Sequence, residues 1–131
     1  MKKSYKEGFT LFEVLIVLAV IAVIASISIP AVGNILKKAD ATKVVTEMNN
    51  TKTALMNFIV MNRSEAKESL EISKLYDEGY LENIPSGISI EVDPPNAYIL
   101  YDMTNHSLGE LQKIDSNIKE KDGKPSVSFR F

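Results

Sequence analysis

The sequence predicts an α+β fold in which a long N-terminal α-helix packs against a small antiparallel sheet of three or four strands. Apolar residues run almost without interruption from Val14 to Ile29 and then recur at helical spacing as far as Val60. After about residue 85, short apolar segments alternate with turns that contain proline and glycine, a pattern typical of strands. Because the chain has no cysteine, we expect the contact between helix and sheet to stabilise the fold without disulfides.

The first half of the predicted helix has the length of a membrane span. From Phe9 to Ile29 the residues are apolar, except for Thr10, Glu13, Ser26 and Ser28. At ~1.5 Å per residue such a helix covers a hydrocarbon core of ~30 Å. Lys2, Lys3 and Lys6 precede it with only Glu7 opposed, and this bias predicts that the N-terminus stays in the cytoplasm. We therefore expect a single-pass precursor in the cytoplasmic membrane.

Two simpler interpretations of this segment remain open, a plain signal anchor and a secretory signal peptide. Ser26-Ile27-Ser28 is a weak candidate for signal-peptidase cleavage, and Ala39-Asp40-Ala41 lies too far along the chain. The apolar run is also longer than the 7–15 residues typical of a signal peptide. Both interpretations fit these residues poorly.

Pro30 is expected to kink or locally melt the helix where the apolar run ends, because proline lacks an N–H and clashes with the preceding turn. Helical periodicity then continues over residues 31–62, with apolar and charged positions interleaved. The two halves predict one helix of about 50 residues, or about 75–80 Å.

The remaining chain is predicted to cover the second half of the helix. A helix start is expected at Ser64, with acidic residues in its first turn, and a short helix from Ser73 is expected to end at Gly79. The predicted strands are Ile88–Val92, Ala97–Asp102 and Val127–Phe131, a short helix is expected near Leu108–Ile114, and the predicted turns are Pro85-Ser86-Gly87, Asp93-Pro94-Pro95-Asn96 and Lys121-Asp122-Gly123-Lys124.

The segment KEGFTLFEVLIVLAVIAVIA resembles the N-terminus of type IV pilins and pseudopilins, whose precursors carry a class III leader peptide. That family has a short basic leader ending in glycine, an aromatic first mature residue, glutamate as the fifth mature residue and then an apolar helix. The resemblance implies a leader at residues 1–8, a filament-core or transmembrane helix at residues 9–30, and a globular headpiece at residues 31–131. Prepilin peptidase would cut between Gly8 and Phe9 and methylate the new amine of Phe9.

The resemblance also implies a role for Glu13 in assembly. A carboxylate in an apolar core is costly, but it can neutralise the amine of Phe9 on a neighbouring subunit, and the low dielectric makes that pairing directional. The alternative is that Glu13 lies near the interface and extends to water. For Gly8, the missing Cβ lets the backbone enter a narrow catalytic groove; its alternative role is only to end the leader before the helix.

The resemblance implies a structural subunit of a type IV pilus-like filament, or fimbrium, that is not an enzyme. The alternative is a pseudopilin of a type II secretion or competence DNA-uptake system, and a rival from another class is a membrane-anchored binding module that never polymerises. The expected partners are other pilins in a homo- or hetero-polymer, prepilin peptidase, the assembly platform and motor, and the membrane. The mature chain would lie in an extracellular or periplasmic filament that serves twitching motility, secretion or competence.

Charge and composition suggest no catalytic or cofactor site. Net charge is −2, and loss of three lysines and one glutamate with residues 1–8 would make it −4, so a broad nucleic-acid surface is not expected; a DNA partner is expected only for a competence pilin. His106 is the sole histidine, which excludes a multi-histidine metal site, and we expect it to face solvent. Weak candidates for an oxygen-rich calcium site are Asp93, Asn96 and Asp102.

Overall fold

The structure, a computed structural model, describes residues 8–66 and 69–131. Residues 1–7 of the predicted leader therefore lie outside the described part of the chain. The first element, helix α1, spans Leu11–Met61, and the chain divides into a unit that ends at Lys38 and a second unit, Ala39–Phe131. Helical structure continues through Pro30, so the helix does not melt there, and a kink at Pro30 stays a prediction.

The elements after α1 are short. They comprise a 3₁₀ helix (Arg63–Glu65), helix α2 (Ile72–Asp77), strands β1 (Ile88–Asp93) and β2 (Asn96–Tyr101), helix α3 (Leu108–Gln112), and strands β3 (Lys119–Lys121) and β4 (Lys124–Arg130). The long N-terminal helix and the four strands confirm the predicted α+β class. Strand β3 was not predicted as a separate strand, because a three-residue charged segment carries no apolar alternation.

The sheet is antiparallel throughout, with strand order β1-β2-β4-β3. The predicted turn between β3 and β4 is confirmed, and both of its central residues, Asp122 and Gly123, have positive φ (52° and 76°). Such backbone angles match the twist of a two-residue hairpin. The inward-facing strand residues are buried, and they include Val92, Ala97, Ile99, Tyr101 and Val127.

Within the second unit, one face of α1 contributes buried side chains to the hydrophobic core. Residues spaced three or four apart bury their side chains there, namely Ala41, Val44, Val45, Met48, Thr51, Leu55, Phe58 and Ile59. The Thr51 hydroxyl, fully buried on this face, donates to the Glu47 carbonyl at 2.8 Å. A polar side chain in the core is thereby satisfied within its own helix.

The helix expected to start at Ser64 does not form, and this prediction was wrong. Ser64 lies inside the 3₁₀ helix, and the N–H groups of Glu65 and Ala66 donate to the carbonyls of Asn62 and Arg63. These donors are therefore paired within the 3₁₀ turn that follows α1, and they do not start a new α-helix. Polar residues with a capping pattern thus served a turn rather than a helix start.

Helix α2 ends as predicted, with Gly79 in the left-handed region at φ 79°. The Tyr80 N–H donates to the Leu75 carbonyl at 2.8 Å and the Gly79 N–H to the Tyr76 carbonyl at 3.0 Å. These two bonds form the Schellman pattern, which glycine accommodates without strain.

Replacing Gly79 with alanine is expected to destabilise the fold by about 1 kcal/mol, because the left-handed conformation disfavours a Cβ. Apart from its chain neighbours, no described atom lies within 4 Å of the added Cβ, so the loss measured by urea unfolding reports the backbone alone. Gly109→Ala is the matched control, since Gly109 lies inside α3 with equal room. There alanine should be neutral or stabilising; equal losses in both variants would contradict the argument.

Acid sensitivity is expected at Asp115, whose carboxylate accepts the Asn117 N–H at 2.9 Å and the Asn49 side-chain amide of α1 at 3.1 Å. The bond from the Asn117 backbone is the main cause that lowers the pKa of Asp115, and the Asn49 bond is the second. Because the pKa of Asp115 is lower in the folded chain than in the unfolded chain, the ionised carboxylate stabilises the fold at pH values above the ordinary pKa of about 4. This stabilisation is lost as the pH falls through the folded pKa. Between about pH 5 and 3 the Tm of the parent chain should fall more steeply than that of Asp115→Asn; parallel curves would contradict this.

Candidate functional site

The N-terminus of α1 is closed by a reciprocal pair of hydrogen bonds. The Thr10 hydroxyl accepts the Glu13 N–H at 3.2 Å, and the Glu13 carboxylate accepts the Thr10 N–H at 3.1 Å. Thr10 and Glu13 thus form a capping box, with a carboxylate in the first turn where the helix dipole favours it. The spacing Thr-x-x-Glu before an apolar run is a recognisable sequence signal for this motif, although the motif was not among the predicted features.

The capping box fixes the direction of the Glu13 side chain. Because the carboxylate reaches back to the Thr10 N–H, the charge lies one helical turn nearer the N-terminus than the Glu13 backbone. Phe9 and Phe12 flank this position with 87% and 71% of their surface exposed. A carboxylate and two aromatic side chains are therefore presented together at the end of the helix.

Beyond the capping box, α1 shows apolar side chains on all sides. In the first unit, large apolar residues from Leu11 to Leu36 are exposed, and this helix is long and apolar enough to cross a membrane. The hydroxyls of Ser26 and Ser28 donate to the carbonyls of Val23 and Ile24 at 2.7 and 2.9 Å. Both hydroxyls are satisfied within the helix, so they are compatible with an apolar environment.

Gly8 immediately precedes Phe9 and is exposed. A Cβ built on Gly8 meets no described atom within 4 Å. Packing within the described chain therefore does not require glycine at this position.

His106 is buried, with 5% of its surface exposed, so the expectation that it faces solvent was wrong. Its Nε2 lies 2.8 Å from the Asp40 carboxylate of α1, and its Nδ1 lies 3.9 Å from the Glu110 carboxylate. The loop after β2 folds back so that His106 reaches α1, and local sequence gives no sign of that long-range contact. Burial, followed by the charge of Asp40, raises the pKa of nearby Tyr101.

The three weak calcium candidates do not meet. Asp93 and Asn96 pair at the β1–β2 turn, whereas Asp102 follows the opposite end of the six-residue strand β2, about 20 Å away at ~3.3 Å per residue. The Asp102 carboxylate accepts a hydrogen bond from the Lys124 ammonium at 2.7 Å. Partial burial raises the pKa of Asp102, but bonds from Lys124 and Ser89 outweigh it, and the pKa lies below its ordinary value. Asp102 therefore serves an ion pair across the sheet.

Comparison with known proteins identifies the N-terminal segment. The family model for the prokaryotic N-terminal methylation motif matches residues 3–29, and this match confirms the resemblance at the N-terminus. No curated protein and no solved structure matches the chain.

The motif supports a type IV pilin-like or pseudopilin-like precursor. Precursors of this type are structural proteins, and the motif indicates processing by prepilin peptidase and polymerisation with other pilins. The motif and the long apolar helix together fit a membrane-anchored precursor.

Proposed function

We propose that the chain is the structural subunit of a type IV pilus-like filament, cut between Gly8 and Phe9 and polymerised through its N-terminal helix. One observation carries the proposal. Gly8, Phe9 and Glu13 stand at fixed spacing at the start of α1, inside the matched segment at residues 3–29, and the large apolar side chains of α1 from Leu11 to Leu36 are exposed.

The exposed surface of the first unit supports polymerisation. Apolar side chains on every side of a helix are unfavourable in water, so this segment needs either lipid or other apolar helices around it. A membrane supplies that environment to the precursor. A bundle of identical helices supplies it after the subunit leaves the membrane.

We propose that Glu13 sets the register of that bundle. Cleavage after Gly8 would create an ammonium on Phe9, at a helix N-terminus whose dipole disfavours positive charge. The Glu13 carboxylate of a neighbouring subunit would neutralise it, and subunits would dock at the one axial offset that leaves no charge unpaired. To pair with that amine, the Glu13 carboxylate would leave the Thr10 N–H. This movement is small, and the carboxylate would still lie at the N-terminal end of the helix.

The N-terminal mass of the chain tests this function. We expect the chain purified from membranes of a host with prepilin peptidase to begin at methylated Phe9, whereas the same chain from a host without that peptidase should begin at Met1. A chain that begins at Met1 in both hosts, or beyond Ser28, would overturn the proposal in favour of a conventional anchor or signal peptide.

A pseudopilin of a secretion or DNA-uptake system is the second candidate, and the small headpiece favours it. After α1, the described chain adds only four short strands and two short helices besides the 3₁₀ turn. Such a subunit would form filaments that stay in the cell envelope. Electron microscopy of cells that express the chain distinguishes the two candidates by the presence of filaments beyond the cell surface.

A further inference from the structure

We propose that Lys37 and Lys38 bind anionic lipid phosphates on the external side of the membrane and, together with Glu13, set the depth of the precursor helix. The inference rests on the proposed membrane-anchored state, and it adds a lipid partner and a defined depth. It places Glu13 at the cytoplasmic interface rather than inside the hydrocarbon.

The first support is the length of the uncharged segment. No charged residue occurs from Val14 to Leu36, a stretch of 23 residues bounded by Glu13 and Lys37. The whole stretch lies in α1, so it measures about 35 Å at ~1.5 Å per residue, close to a hydrocarbon core of ~30 Å. If residues Phe9–Ile29 crossed the membrane instead, Glu13 would lie inside the hydrocarbon core.

The second support is the direction of the Glu13 carboxylate. Its bond to the Thr10 N–H at 3.1 Å moves the charge towards the N-terminus, away from the uncharged segment. A carboxylate held in this way can stay among headgroups while Val14 enters the hydrocarbon.

The third support is the opposite end of the segment. Lys37 and Lys38 are consecutive and exposed, so their side chains leave the helix about 100° apart and cover a broad sector of its circumference. Lysine stems can lie along apolar surface while the ammonium groups reach the phosphates, and anionic headgroups attract such groups. Within the segment, the hydroxyls of Ser26 and Ser28 are already bonded to helix carbonyls.

The two depths are separable by experiment. The uncharged segment Val14–Leu36 has its midpoint at Ala25, whereas a Phe9–Ile29 span has its midpoint at Ala19, a difference of about 9 Å along the helix. Because the chain has no cysteine, Ala19→Cys, Ala25→Cys and Ala31→Cys each create a unique labelling site.

We would attach a nitroxide spin label at each site of the uncleaved full chain, in vesicles of phosphatidylethanolamine and phosphatidylglycerol, and measure depth from oxygen and nickel-chelate accessibility. The label at Ala25→Cys should be deepest, with those at Ala19→Cys and Ala31→Cys nearly equal. A deepest label at Ala19→Cys, with Ala31→Cys close to the headgroups, would overturn the proposed depth.

The lipid contact has its own test. Replacing both Lys37 and Lys38 with glutamate should change the depth of the Ala31→Cys label in the anionic vesicles and leave it unchanged in vesicles of phosphatidylcholine alone. Lys113→Glu, in the second unit, is the matched control and should change neither. Equal depths for the double variant and the parent in both vesicles would overturn the phosphate contact. Because these measurements use the unassembled precursor, their failure leaves the N-terminal mass and filament tests unaffected.

Discussion

Chains with Glu13→Gln are expected to be cut and methylated normally but to yield about tenfold fewer filaments, or fewer still, than the parent chain. Glutamine keeps the capping geometry, since it can also accept the Thr10 N–H in a capping box, and it removes only the negative charge. The amine of the neighbouring subunit would then enter an apolar core without a counter-charge. A loss of about 1.4 kcal/mol per subunit contact already lowers the assembly equilibrium constant tenfold. The measurement is filament yield by shearing and sedimentation, beside the N-terminal mass of the membrane pool.

Two further variants separate charge from capping. Thr10→Val removes the hydroxyl that accepts the Glu13 N–H, costs about 1 kcal/mol of local helix stability, and should leave filament yield near that of the parent. Glu120→Gln removes an exposed carboxylate from β3 and should have no effect. Normal filaments from Glu13→Gln, or an equal loss from Thr10→Val, would show that the charge of Glu13 is not the determinant of assembly.

The largest effect on stability is expected from Phe58→Ala. Phe58 is fully buried, and its ring meets that of Tyr80 edge-on, with centroids 5.6 Å apart and planes at 81°. Removing a buried phenyl ring leaves a cavity and costs about 3–5 kcal/mol, a large part of the ~5–15 kcal/mol that stabilises a typical domain. Urea unfolding of the full chain in detergent, followed by tyrosine fluorescence, measures this loss.

Val60→Ala is the matched control for Phe58→Ala. It shortens a side chain two residues away on the same helix, where 77% of the surface is exposed, and should change the unfolding free energy by less than about 0.5 kcal/mol. If the two variants unfold at the same urea concentration, Phe58 does not hold α1 to the rest of the second unit.

Sequence reasoning was most reliable where a regular pattern extends over many residues. The periodicity from Val14 to Val60 predicted α1, and the alternation of Ile88–Val92 predicted β1, because each pattern repeats one local geometry. Strand β2 was predicted as the partner that follows the Asp93–Asn96 turn. Sequence reasoning was least reliable at turns and helix ends, where a few residues determine the local structure. At Ser64 a capping pattern formed a 3₁₀ turn instead of starting an α-helix, and the Thr10–Glu13 capping box was not predicted although its spacing is recognisable.

The sequence alone determined that the chain has an N-terminal methylation motif, a carboxylate at Glu13 and a helix apolar enough for a membrane, since those properties depend on residue type and spacing along one chain. Only the tertiary structure decided that His106 is buried against Asp40, and that Asp102 pairs with Lys124 rather than joining Asp93. Contacts between residues tens of positions apart depend on how strands pair and loops fold back, and no local pattern encodes them.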